Sequence, residues 1–132
     1  TDVNGSPDNP SELDTLTATF YALENVTNRQ TLYEVFTASS CPPCRPGNEN
    51  LHNDIYPNHN ADEYAVIKYQ MPFRGRGDPY TNLAGIARQQ FYGVTSIPNV
   101  RIDGGVDINA NSVALCKLGH QNATPTAAAL DV

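Results

Sequence analysis

The residues most able to do chemistry in this chain are Cys41 and Cys44, spaced Cys-x-x-Cys with Pro42 and Pro43 between them. Three chemistries use that spacing. Two thiols so placed can form a disulfide that opens and closes by exchange, can supply two ligands to a metal, or can close a fixed staple. His52 and His59 follow the pair and complete a Cys2His2 set on paper, but their separation is longer than the His spacing of common zinc modules. Cys116, in "SVALCKLGH", has Val113 beside it at helical spacing and reads as a small hydrophobe on a buried helix face. The sequence has no nucleophile elbow and no phosphate-binding glycine loop.

Composition narrows the field. With 132 residues, 39% of them hydrophobic, the chain can build one ordinary core. A formal charge of −6 opposes a polyanionic partner, so nucleic acid is not expected. No apolar run approaches the roughly 20 residues of a membrane-spanning helix, and no basic-then-apolar leader opens the sequence. Three cysteines are too few for a small disulfide framework.

The elements around the cysteines decide what they can do. Residues 1–12, rich in Pro, Asn, Asp and Ser, predict a linker, and 122–132 predict a tail leading into a further module, which leaves 13–121 as the domain. Leu16–Leu23 and Thr31–Ala38 are β-branched and aromatic, as strands require. After Cys41 an amphipathic helix is expected to carry Leu51 and Ile55 on one face, with Pro46 bending or loosening its first turns. Tyr64–Met71 reads as a strand buried on both faces. Asp78 is the expected N-cap of a helix with Pro79 at its first position, an inward face of Leu83, Ile86, Ala87 and Phe91, and Gly93 as its stop. "IPNVRIDGGVDI" reads as a hairpin and "NSVALCKLGHQ" as a closing helix, with His120 favouring its C-terminal dipole. Asp78 also ends Arg76-Gly77-Asp78, a tripeptide known in adhesion ligands, but capping explains it better.

In these residues the chain resembles the thioredoxin superfamily. The likeness rests on Cys41-Pro42-Pro43-Cys44 between a strand and a helix, and on "YGVTSIPN" (Tyr92 to Asn99), which is similar to the segment carrying that family's cis-proline, here Pro98. "EVFTASSCPPC" and "DPYTNLAGIARQQFYGV" are similar to thioredoxin-like domains of secreted and outer-membrane-associated bacterial proteins. The resemblance implies an α/β thioredoxin fold: a central mixed sheet flanked by helices, here with an N-terminal strand extension. It also implies a periplasmic, outer-membrane-associated or secreted location.

The resemblance further implies a thiol–disulfide oxidoreductase acting on protein thiols or disulfides with an electron donor the sequence does not name. Cys41, exposed at the helix start, is the expected nucleophile and Cys44 the resolving thiol. Ser96, Ile97 and Pro98 are the expected substrate-binding segment. The only redox group implied is the Cys41–Cys44 disulfide, with no other cofactor and no metal. Pro42 and Pro43 lack N–H donors and tune the site toward a reductant or isomerase, while Arg45 favours the anion and pulls the other way. Two positions depart from the family pattern: Ser40 stands where Trp is usual, and Val35 where a buried Asp is usual. Strand alternation turns the neighbouring Glu34 to the opposite side. The rivals are a non-catalytic binding or structural module and a metallochaperone.

Overall fold

The computed structural model describes residues 26–27, 29–73, 76–123 and 128–129. The expected strand Leu16–Leu23 and the expected linker 1–12 lie outside the described residues. Residues Gln30–Thr126 form one compact unit. In the other unit, β1 (Val26–Thr27) pairs antiparallel with β6 (Ala128–Ala129). The region read as a C-terminal tail therefore contains a paired strand.

The larger unit is a mixed α/β structure built on a four-stranded sheet. β2 (Thr31–Thr37) is flanked by β3 (Tyr64–Gln70), parallel to it, and by β4 (Asn99–Ile102), antiparallel; β5 (Ile108–Asn109) lies beyond β4, giving the order β3-β2-β4-β5. β2 is the element most rich in β-branched and aromatic residues, and both its faces are buried. β3, expected to be buried on both faces, stands instead at one end of the sheet order, with Ile67 and Lys68 exposed.

α1 (Cys44–Asn50) follows β2 and continues as a π-helical turn, Leu51–Ile55, and a 3-10 turn, Tyr56–Asn58. Pro46 does not disturb it. It is the third helical residue, where an N–H would find no intrahelical acceptor in any case, so the irregularity falls at Leu51–Ile55. Leu51 and Ile55 are buried against Tyr33, Val35, Val100 and Ile102, together with Cys116 of α3 (Val113–Ala123). Burial pushes the free Cys116 thiol up to about 11, which keeps it protonated.

α2 (Leu83–Tyr92) starts later and faces the other way from what its sequence predicts. Its cap is Asn82, whose side chain accepts from the Gly85 N–H at 2.8 Å, and it stops at Gly93 with φ 63°, a left-handed conformation natural to glycine. Leu83, Ala87 and Phe91 are exposed, whereas Arg88 and Tyr92 reach in to Glu34 of β2. A buried carboxylate left unpaired would cost far more than the exposure of a Leu and a Phe, so the polar pairing sets the rotation of the helix.

Candidate functional site

The chain leaves β2 at Thr37, turns through Ala38–Pro43 and enters α1 at Cys44. Within that turn the Cys41 N–H donates to the Ala38 carbonyl at 3.2 Å and the Cys44 N–H to the Cys41 carbonyl at 3.0 Å. Cys41 and Cys44 are joined in a disulfide, with their Cα atoms 5.3 Å apart.

A second loop braces this turn. The Ser39 N–H donates to Asp78 Oδ2 at 2.6 Å, the Ser40 hydroxyl to the Gly77 carbonyl at 2.8 Å, and the Tyr80 N–H to Asp78 Oδ1 at 2.8 Å. Asp78 is therefore not the cap of α2; it ties the cysteine turn to the loop before that helix. The Ser39 N–H, outweighing burial and helped by Tyr80, holds its carboxyl below the usual aspartate range. With the side chain 7% exposed and engaged with this backbone, Arg76-Gly77-Asp78 serves the fold.

Both sulfurs are covered. Cys41 is 3% exposed and Cys44 1%, so the exposed nucleophile expected from the sequence is not observed. Phe36, Ala38, Met71, Val94 and Ile97 pack around the pair. Cys41 Sγ lies 3.9 Å from the carbonyl oxygen of Ile97, and the Ile97–Pro98 peptide is cis. Gly47 of α1 makes room for the proline: a Cβ there would lie 3.0 Å from both Pro98 Cγ and Ala110 Cβ. Ile97 and Pro98 are buried, and Ser96 is exposed.

The disulfide also borders a cavity of about 420 Å³, whose wall includes Thr37, Asn48, Lys68, Gln70, Asp78 and Tyr80. Ser96, Ile97 and Pro98 do not line it, so the sequence-predicted segment approaches the sulfurs from elsewhere. Asn48 organises the wall. Its Nδ2 donates to Thr37 Oγ1 at 2.9 Å and to the Cys44 carbonyl at 2.8 Å, while its Oδ1 accepts from Lys68 Nζ at 2.9 Å. Lys68 Nζ also lies 3.2 Å from His52 Nε2, and partial burial pushes its ammonium below the ordinary lysine value. Arg45, at the rim, is 85% exposed, and its Nε lies 2.9 Å from Glu49 Oε1, one turn along the helix.

No carboxylate lies at Val35, which is buried among Leu51 and Ile55. Glu34, on the opposite face and 1% exposed, takes two hydrogen bonds from Arg88, at 2.6 and 3.0 Å, and one each from Tyr69 and Tyr92. Burial alone would raise its carboxyl, but the hydrogen bonds from Arg88, Tyr92 and Tyr69 prevail and hold it low.

His52, His59 and His120 each contact groups other than the cysteines. His52 faces Lys68; His59 stacks on His120 with ring centroids 3.5 Å apart. His120 is 4% exposed and its Nδ1 meets the Tyr33 hydroxyl. Burial, with His59 alongside, lowers its pKa, so it is a core imidazole and not the helix-terminal cation expected. Among the described residues no group of His, Cys, Asp or Glu is arranged to hold a metal ion, and no helix is long and apolar enough to cross a membrane. Sequence reasoning missed Asn48 and Lys68 and misassigned Asp78. For Asp78 the Asp-Pro signal was real, but it marked a turn and not a helix start.

Compared with known proteins, the chain matches no family model and no curated protein. Among solved structures it resembles a crystal structure of an Agrobacterium tumefaciens protein from a structural-genomics consortium, with a TM-score of 0.55 and 17% identity. The alignment covers 74% of this chain and 45% of that one, so the chain spans less than half the length of its neighbour. At that identity the likeness concerns the fold alone.

Proposed function

We propose that this chain carries a thioredoxin-fold thiol–disulfide oxidoreductase of an exported bacterial protein. One observation carries the reading: a Cys41–Cys44 disulfide at the junction of a central strand with a helix, bordering a cavity. In the reduced form, Cys41 attacks a substrate disulfide as thiolate; one substrate sulfur leaves with the electron pair of its broken bond, giving a mixed disulfide. Cys44 then attacks Cys41 Sγ, the second substrate sulfur leaves, and the internal disulfide re-forms. Two electrons pass from the dithiol to the substrate. Arg45 and the two prolines tune this chemistry, and the backbone of Ser96 to Pro98 supports the substrate side of Cys41.

The burial of both sulfurs favours one other reading, a disulfide that only fixes the turn. Equilibration with a thiol buffer, combined with an insulin-type reduction assay, separates the two. The redox reading expects a potential within reach of biological thiols together with turnover. A potential far below about −300 mV with no turnover leaves the structural reading.

A further inference from the structure

The observations on the cavity carry the proposed redox function one step further, to its substrate class, and the inference rests on that reading. Cys41 and Cys44 are both among the residues that line the cavity of about 420 Å³, so a compound small enough to enter it comes to rest against the pair. That volume falls within the range of small-molecule sites.

The charges on its wall are unequal in availability. Asp78 is an anion, but both its oxygens accept backbone N–H groups, from Ser39 and Tyr80. The Arg45 guanidinium is paired with Glu49. Lys68 differs. An ammonium has three N–H donors, and its contacts are two, Asn48 Oδ1 and His52 Nε2, neither of them a carboxylate. Among the described residues no carboxylate pairs with it. A cation with a spare donor and no counter-ion therefore stands on the wall of a cavity bordered by a disulfide, held in place by the same Asn48 that bonds the Cys44 carbonyl.

We infer that this cavity binds small thiol or disulfide compounds bearing a carboxylate, with Lys68 as the carboxylate-binding residue. The bound carboxylate takes the third ammonium donor, and the compound's sulfur lies toward Cys41. In the reducing direction, the Cys41 thiolate attacks one sulfur of the small disulfide, whose S–S bond breaks. The departing thiolate takes up a proton from water. Cys44 displaces the second thiolate from the mixed disulfide, so one substrate disulfide becomes two thiols while the protein dithiol becomes the Cys41–Cys44 disulfide.

The test uses fully reduced protein in single turnover, so no external reductant is needed. Three small disulfides differing in charge are compared: dithiodipropionate, with two carboxylates; bis(hydroxyethyl) disulfide, neutral; and cystamine, cationic. Each rate is divided by that of free dithiothreitol with the same compound, which removes intrinsic reactivity. One charge-assisted hydrogen bond predicts that the normalised rate for dithiodipropionate exceeds the neutral one about tenfold. The cationic compound is expected to be slowest, and Lys68→Gln is expected to bring the anionic-to-neutral ratio close to one. Equal normalised rates for the three compounds, or a ratio untouched by Lys68→Gln, overturn the inference and leave the redox reading standing. Absence of exchange with all three overturns the inference, and the redox reading falls with it only where insulin-type reduction also fails.

Discussion

The backbone N–H of Cys44 is spent on the carbonyl oxygen of Cys41, 3.0 Å away. Pro42 and Pro43 have no N–H, and the Cys41 N–H is spent on Ala38. The helix start that would usually surround a thiolate with donors thus offers Cys41 few, and the Ile97 carbonyl oxygen, 3.9 Å from its sulfur, is an acceptor. A poorly stabilised thiolate is a poorly stabilised reduced state, which lowers the reduction potential. The potential of the pair is expected near the roughly −270 mV of reducing dithiols and far from the roughly −120 mV of a strong oxidase. Pro43→Ala restores one donor and is expected to raise it by about 30 mV, the equivalent of one hydrogen bond to a charged group. Equilibration with a dithiol buffer of known potential measures both.

Asp78 binds the cysteine turn to its brace, so Asp78→Ala is expected to cost about 1–3 kcal/mol by orphaning the Ser39 N–H, and to raise exchange rates at Cys41 by loosening its cover. Urea unfolding and alkylation kinetics of the reduced protein read the two effects. The folded pKa of Asp78 is depressed, so its contribution is present above the unfolded value of 3.8 and is lost as pH falls through the folded one.

Glu34→Ala leaves Arg88 without its carboxylate and two tyrosine hydroxyls without an acceptor. Breaking a buried pair costs about 3–5 kcal/mol, and the lower end is expected here because Arg88 is 37% exposed. Chemical denaturation of Glu34→Ala and of Glu34→Ala/Arg88→Met tests this, the double variant recovering part of the loss.

His120 makes the fold acid-sensitive. Its folded pKa lies below the unfolded value of 6.5, so its neutral form stabilises the fold above about pH 6.5, and that stability is lost as pH falls toward the folded pKa. A thermal-unfolding series from pH 8 to 5 is expected to decline over that window. In His120→Leu the decline flattens.

The sequence made the strand–cysteine–helix junction, the Leu51 and Ile55 face, the hairpin and the closing helix legible, because each rests on local pattern and on residues close in the chain. What it concealed depended on tertiary partners. The apolar spacing of Leu83, Ala87 and Phe91 pointed inward only until Glu34 demanded Arg88 and Tyr92. Lys68 and Asn48 lie on β3 and α1, and only the parallel pairing of β2 with β3 brings them together at the cysteines. Val94 and Ile97, far along the chain, join Cys41 in one buried apolar cluster, which helical-start chemistry could not announce.

Trapping the exchange intermediate is the most direct test of the central claim. In Cys44→Ser, Cys41 can attack a small disulfide but nothing resolves the product. Intact-mass and peptide-mapping measurements are expected to show one adduct per chain, on Cys41, with the buried Cys116 unmodified. An unmodified Cys41 under conditions in which unfolded protein reacts fully would contradict the account and make the Cys41–Cys44 disulfide a fixed strut of the fold.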